Sequence, residues 1–393
     1  MTRRRTRQSQ RSILGRVLAL LLIVGVIAVI YELGLFPGLA PGGREPTATA
    51  PMPGGIRTVQ PDRGMGGEGE LWAVYFTDPV IPFDDVTTGG IDENLVWLID
   101  HAQASIDAAM FEFNLQNVAD ALVAAHKRGV QVRVVYDDEH TADDPQMDQL
   151  IDAGIPATPD ERSAFMHNKF FVFDRGIVWT GSTNITVNGM YRNNNNSVVL
   201  VSPELAANYT TEFEEMFNGQ FGPGSPANTP YPGVQVGDLW VENYFSPEDH
   251  PLARLISVVS EAKRSIHFMA FAYTDFDLAK AMMDRAAGGV EVAGIFESRG
   301  ANTEASECPT LLNFGLDVRL DSNPRTFHHK VVIIDGAIVA TGSFNFSTNA
   351  AESNDENLLI IHSPEVAALY EAEFNRRMAE ARVPVGGECS TEE

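Results

Sequence analysis

The eight residues HNKFFVFD, His167 to Asp174, return as HHKVVIID, His328 to Asp335, and this internal repeat constrains the fold more than any other feature. Each copy reads His-x-Lys, four apolar residues, then Asp. At the same offset of 161, Thr180-Gly181-Ser182 falls on Thr341-Gly342-Ser343, and Asn184 on Asn345. The match continues through Asn196/Asn357, Ser202-Pro203-Glu204/Ser363-Pro364-Glu365, Tyr209/Tyr370 and Glu212-Phe213/Glu373-Phe374. Upstream the offset becomes 160, with Ser105-Ile106 on Ser265-Ile266, Phe111 on Phe271 and Gly129-Val130 on Gly289-Val290. Two copies this long are too few and too large for a solenoid and predict a pseudo-symmetric pair of domains.

Both copies carry the same order of local signals. SIDAAMFEF and VQVRVVYD read as strands, with the amphipathic stretch NVADALVAAHKRG between them as a helix ending at Gly129. KFFVFD, IVWTGS and NSVVLV add strands. Ser202 then opens a helix as N-cap, with Pro203 in its first turn. Strands alternating with helices predict an α/β sandwich with a mixed sheet in each half.

Within His-x-Lys the two side chains leave a strand on one face, so imidazole and ammonium point together. The four apolar residues after Lys169 and after Lys330 suit a strand covered on both sides. Gly-Ser-x-Asn adds a tight backbone, a hydroxyl and an amide. Histidine, lysine, serine and asparagine without a thiol or carboxylate cluster suit a phosphate oxyanion better than a metal. One such motif occurs often by chance beside an apolar strand. Two at one offset, each followed at the same distance by Gly-Ser-x-Asn, point to function.

On these residues the chain resembles the phospholipase D superfamily, whose signature His-x-Lys-x4-Asp with Gly-Ser-x-Asn occurs twice in single-chain members. The resemblance covers about residues 70–380. It implies two pseudo-symmetric phospholipase D-like α/β sandwich domains with mixed sheets, facing each other so that both motifs meet in one site. A single chain then suffices as a monomeric catalytic unit. Phosphodiester cleavage would run through a phosphohistidine, with one imidazole attacking phosphorus and the other protonating the leaving alkoxide, and with neither cofactor nor metal. Lys169 and Lys330 would neutralise the nonbridging oxygens, Asn184 and Asn345 would donate to them, and Ser182 and Ser343 would support the loop or donate as well. Asp174 and Asp335 are expected to hold strand ends. The family orients each imidazole through a downstream residue, and the matched pair here is Asn195 and Glu356. This departs from an acidic partner in both copies. Pairing each histidine with the orienting residue of its own copy makes His167, backed by Asn195, the nucleophile and His328, backed by Glu356, the general acid.

Charge and anchoring bear on the substrate. Residues 1–16 hold six arginines and no acid, so the rest carries 22 basic against 53 acidic residues, a formal −31. Such a body has no general basic footprint for a polyanion. Residues 17–36 (VLALLLIVGVIAVIYELGLF) are long enough for a transmembrane anchor, and the arginines before them would keep residues 1–16 cytoplasmic. A cleaved signal segment is the alternative, and both readings place the catalytic body outside the cytoplasm. Residues 37–68 read as a Pro/Gly-rich linker and 218–238 as a second one, bounding domains at 69–217 and 239–384, with a tail at 385–393. Cys308 and Cys389 read as two unpaired thiols, with one bridge possible in an oxidising compartment. Asp137-Asp138-Glu139-His140 reads as a solvated loop before a cation site. Trp72, Trp240 and Phe245 read as core, and His101, His126 and His267 as ordinary residues. The expected reaction is hydrolysis or transphosphatidylation of phospholipids. A non-specific endonuclease, which −31 disfavours, and a cardiolipin-synthase-like phosphatidyl transferase are the alternatives. The loops 138–165 and 298–326, which would set head-group preference, match no motif.

Overall fold

The computed structural model describes residues 64–141, 144–385 and 388–390. The basic segment, the apolar stretch 17–36 and the linker as far as residue 63 lie outside the described residues. Among the described residues no helix is long and apolar enough to cross a membrane.

Each half is built on an eight-stranded mixed sheet. The first contains β1 (Met65–Glu68), β2 (Trp72–Phe76), β3 (Ser105–Met110), β4 (Gln131–Tyr136), β5 (Ala157–Pro159), β6 (Lys169–Phe173), β7 (Ile177–Gly181) and β9 (Asn196–Val201), with the two-residue β8 (Asn193–Asn194) outside it. The second contains β10 (Gly233–Val236), β11 (Leu239–Ser246), β12 (Ser265–Ala270), β13 (Glu291–Phe296), β14 (Asp317–Leu320), β16 (Lys330–Ile334), β17 (Ile338–Gly342) and β18 (Glu356–His362), with β15 (Thr326–Phe327) outside it. The orders β1-β2-β9-β7-β6-β3-β4-β5 and β10-β11-β18-β17-β16-β12-β13-β14 are the same path traced twice. Two details differ from the expected linkers. Met65–Glu68 pairs antiparallel with β2, and Gly233–Val236 pairs with β11, so the ends of both Pro/Gly-rich stretches are edge strands.

Helices α1 (Asp92–His101) and α2 (Gln116–Lys127) cover the outer face of the first sheet, and α4 (Pro251–Ser260) and α5 (Phe276–Ala287) that of the second. Helices α3 (Pro203–Phe217) and α6 (Pro364–Glu380) lie between the sheets, where Leu205, Tyr209 and Phe213 share one core with Val366, Tyr370 and Phe374. Both begin as the sequence predicts: Ser202 Oγ accepts from Leu205 N–H, Ser363 Oγ accepts from Val366 N–H, and a proline follows each cap. The apolar runs after the lysines split by parity. Phe170, Val172, Val331 and Ile333 face the shared core, while Phe171, Phe173, Val332 and Ile334 face the outer helices. A strand buried on both faces has no room for alternation of polarity, which is why these runs are wholly apolar.

Cys308 and Cys389 form a disulfide that fastens the C-terminal segment to the second half, so the reading as unpaired thiols is overturned. Trp72 and Phe245 are core, but Trp240 is 44% exposed.

Candidate active site

His167 and His328 stand two residues before β6 and β16, and the halves are joined there by main chain. β8 and β15 pair parallel, Asn193 with Thr326 and Asn194 with Phe327. His328 N–H donates to Asn194 O, and His167 N–H donates to Asp355 O, each at 2.9 Å. Residues 194 and 355 are equivalent in the repeat, so each histidine strand is stitched to the segment of the opposite half that precedes its orienting residue.

The consequence is a crossed arrangement. His167 Nδ1 lies 2.7 Å from Glu356 Oε2, and His328 Nδ1 lies 2.9 Å from Asn195 Oδ1 and 3.0 Å from Ser182 O. The expected pairing of each histidine with its own copy's residue is therefore corrected, because the stitch carries residues 195 and 356 across to the other half. The serines complete the relay: Ser343 Oγ donates to Glu356 Oε2 at 2.7 Å and Ser182 Oγ to Asn195 Oδ1 at 2.8 Å. Their hydroxyls are committed to the orienting groups.

Lys169 Nζ donates to His167 O at 2.6 Å and sits 4.5 Å from the centre of the Phe111 ring. Lys330 Nζ donates to His328 O at 3.1 Å, 4.8 Å from Phe271. Both ammonium groups are buried, and burial lowers Lys169 to about 7; burial, then the charge of Lys169, lowers Lys330 well below its ordinary value. Burial first, and then both lysines, lower His167 and His328 well below the usual imidazole range. Each histidine thus feels the lysine of the other half, in keeping with the crossed hydrogen bonds that bring the two motifs together. Burial raises Glu356 to about 8 against the pull of Lys169 and Ser343. Ionised Glu356 takes the Nδ1 proton of His167 as a hydrogen bond and leaves the Nε2 lone pair free. A phosphodiester anion between the two ammonium groups would restore their charge, because opposite charge in a dry site offsets desolvation.

Asn184 Nδ2 donates to Glu112, and the side-chain oxygens of Asn184 and Asn345 are buried without a partner. Asp174 accepts from the N–H groups of Gln103, Ala104 and Ser105, and Asp335 accepts from Lys263, Arg264 and Ser265. Both aspartates hold the start of β3 or β12, with φ of 49° and 56°. Asp137 to His140 is not a solvated loop. Asp137 is 1% exposed and accepts from His140 N–H, and the His140 ring packs 4.4 Å from Phe111.

Several residues that contact the motifs are not signalled as site residues by the sequence. Asn168 and His329, the middle residues of the two motifs, reach Glu212 and Glu373 on the central helices. The signal they do carry is repetition, since Glu212 and Glu373 repeat at the common offset on helices whose other faces are apolar. Glu112 has no such signal, because its repeat position is Ala272.

Two copies of one α/β layer that lend each other the partner of a histidine define a duplicated His-x-Lys fold with a single composite centre. The chain belongs to the phospholipase D-like family: the family described as "Cardiolipin synthase, PLD-like domain" matches residues 95–217 and again 255–378. Among curated relatives, the mitochondrial cardiolipin hydrolase of Xenopus tropicalis is 34% identical over 132 residues, 33% of this chain and 62% of that one. Its Homo sapiens counterpart is 34% identical over 37% of this chain and 58% of its own. The phospholipase D of Rickettsia conorii is 31% identical over 35% of this chain and 70% of that protein. The chain thus spans about three fifths of the length of these two hydrolases. The solved phosphatidylserine synthase of Haemophilus influenzae Rd KW20 shares the fold, with a TM-score of 0.60 at 16% identity over 84% of this chain and 90% of that one.

Proposed function

We propose that the protein is a phospholipase D-type phosphodiesterase that cleaves phospholipids through a covalent phosphohistidine on His167. The observation that carries this reading is the crossed pair of histidines, one held by a carboxylate and the other by an amide, beneath two buried lysines. Nε2 of His167 forms the P–N bond while the bond from phosphorus to the leaving oxygen breaks, and His328 gives its Nε2 proton to that oxygen. Attack makes the His167 ring cationic, and the Glu356 carboxylate stabilises that charge. An amide partner leaves the His328 imidazolium the more acidic of the two, as a proton donor requires. Water, or an acceptor alcohol, then gives its proton to His328 and attacks phosphorus, and the P–N bond breaks. The crossed contacts thus keep His167 as nucleophile for a reason opposite to the one the sequence suggested. Lys169 and Lys330 would hold the nonbridging oxygens, with Asn184 and Asn345 beside them. Lipid is favoured over nucleic acid by the formal net charge of −25 and by relatives named for cardiolipin and phospholipid hydrolysis. The disulfide supports a catalytic body on the oxidising, non-cytoplasmic side of a membrane.

The test uses the full chain in mixed micelles with chelator present. Cardiolipin, phosphatidylglycerol, phosphatidylcholine with and without ethanol, and single-stranded DNA are the substrates. Release of phosphatidic acid, or of phosphatidylethanol with ethanol, is expected, with acid-labile label trapped on His167. Cleavage of DNA alone, label on His328, or activity that survives loss of either histidine would overturn the proposal.

A further inference from the structure

The two halves differ beside the histidines. In the first half the space over Phe111 is filled: the His140 ring lies 4.4 Å from Phe111, Phe165 lies 5.3 Å from Phe111, and His140 and Phe165 are 4.8 Å apart. The repeat places Phe271 on Phe111, Gly300 on His140 and Thr326 on Phe165. Hydrogen bonds confirm the register. His140 N–H donates to Asp137, and Gly300 N–H donates to the equivalent Glu297; Asp138 N–H donates to Asp160, and Ser298 N–H donates to Asp321. Where the first half has the His140 ring the second has Gly300, and Gly300 and Phe271 both line a cavity of about 500 Å³. That is an ordinary size for a small-molecule pocket. Phe271 forms its wall next to the centre, since its ring lies 4.7 Å from the His328 ring.

We infer that this cavity is the pocket for the leaving or accepting alcohol, and that it takes a hydroxylated, uncharged head group of the glycerol type. The inference rests on the reading of His328 as the proton donor to the leaving oxygen. Attack from the His167 side puts the departing group on the His328 side, where the cavity lies. Its lining sets the chemistry. Phe271, Tyr273 and Phe296 provide apolar wall, and Thr274 and Thr303 add hydroxyl groups. Both oxygens of Glu297 are taken, Oε1 by Arg299 Nε at 2.6 Å and Oε2 by Gly300 N–H at 2.9 Å. No carboxylate among the lining residues is left to neutralise a choline or ethanolamine head. Arg299 also donates to Thr326 Oγ1, two residues before His328, so its guanidinium forms the rim between cavity and centre.

Gly300 tolerates a side chain. Its φ is not left-handed, and a Cβ would meet its nearest neighbour, Glu297 Oε2, at an ordinary 3.6 Å. The test is Gly300→His, which copies the first half, with Gly300→Phe as a second closing variant. Activities on phosphatidylglycerol and phosphatidylmethanol are compared, with thermal midpoints as a folding control. Closing the cavity is expected to lower kcat/KM for phosphatidylglycerol about tenfold or more relative to phosphatidylmethanol. Arg299→Ala, which releases Glu297, is expected to raise the ratio of phosphatidylcholine to phosphatidylglycerol cleavage by a similar factor. If wild type cleaves lipid and both ratios stay unchanged in folded variants, the pocket assignment is overturned. If wild type cleaves no lipid, the parent reading falls and this inference with it.

Discussion

Glu356→Gln separates catalysis from packing at the most informative position. Glu356 is fully buried, and its Oε2 receives both His167 and Ser343. Glutamine keeps the shape and one acceptor oxygen but loses the charge. A hydrogen bond to a charged group contributes roughly 1.5–3 kcal/mol against about 1 for a neutral one. The loss of about 1–2 kcal/mol, felt when the His167 ring becomes cationic, corresponds to a fall in kcat/KM of roughly 5–30-fold. Stability is expected to move the other way. Burial raises Glu356 to about 8, so its contribution to stability is complete below the ordinary carboxylate range and is lost as pH rises through about 8. Glutamine has no charge to bury, so the variant should melt above wild type at pH 9 and level with it at pH 4. Wild-type kcat/KM should also rise with pH as Glu356 ionises, on a limb the variant lacks. Calorimetry at the two pH values and a pH–rate profile read all three effects. Unchanged kcat/KM, or a loss of activity matched by a fall in melting temperature at both pH values, would refute the reasoning.

Three further outcomes are expected. Sulfate, whose charge is constant over this range, should inhibit more tightly as pH falls through about 7, where Lys169 gains its proton, and Lys169→Met should weaken that dependence in competition assays. Cys389→Ser should destabilise the fold by roughly 2–4 kcal/mol in denaturant titration, because the bridge spans a sequence separation of 81. The equivalent glutamates of the central helices should respond oppositely. Burial opposes ionisation of Glu373, but His329, Arg377 and Arg376 hold it at about 2, so Glu373→Gln leaves the buried Arg377 with only the more exposed Asp78 and Glu380 and should cost roughly 3 kcal/mol at pH 7. Burial, and then Glu248, raise Glu212, so Glu212→Gln should be neutral or stabilising there.

The fold was legible because its signals are local and doubled: the apolar runs after the lysines, the Ser-Pro caps at 202 and 363, and one strand order repeated at offsets of 160 and then 161. The two histidines, the two lysines and the pair Asn195 and Glu356 stood out for the same reason, as a set repeated at one offset. Their partnership did not. Which histidine Glu356 and Asn195 serve depends on two short parallel stitches, Met166 with Asp355 and β8 with β15, and RNNNNS and RTFHHK carry no periodicity that announces them. Residue 65 joins a sheet despite its glycine-rich surroundings, because an edge strand needs only main-chain partners. The pairing of Cys308 with Cys389 likewise depends on where the tail returns, which spacing alone does not encode.

The main-chain stitch that carries residues 195 and 356 across the molecule also bears on ancestry. A single-copy forebear with the same contacts would work only as a two-fold symmetric dimer, every substitution appearing twice about the axis. Joining the copies in tandem frees the two sides to diverge. Amide against carboxylate, Gly300 against His140 and Arg299 against Glu139 are distinctions a symmetric pair of identical chains could not make. A tandem pair thus lets one half supply a carboxylate and the other an amide to the histidines, and lets a cavity lie beside one phenyl ring where an imidazole covers the other.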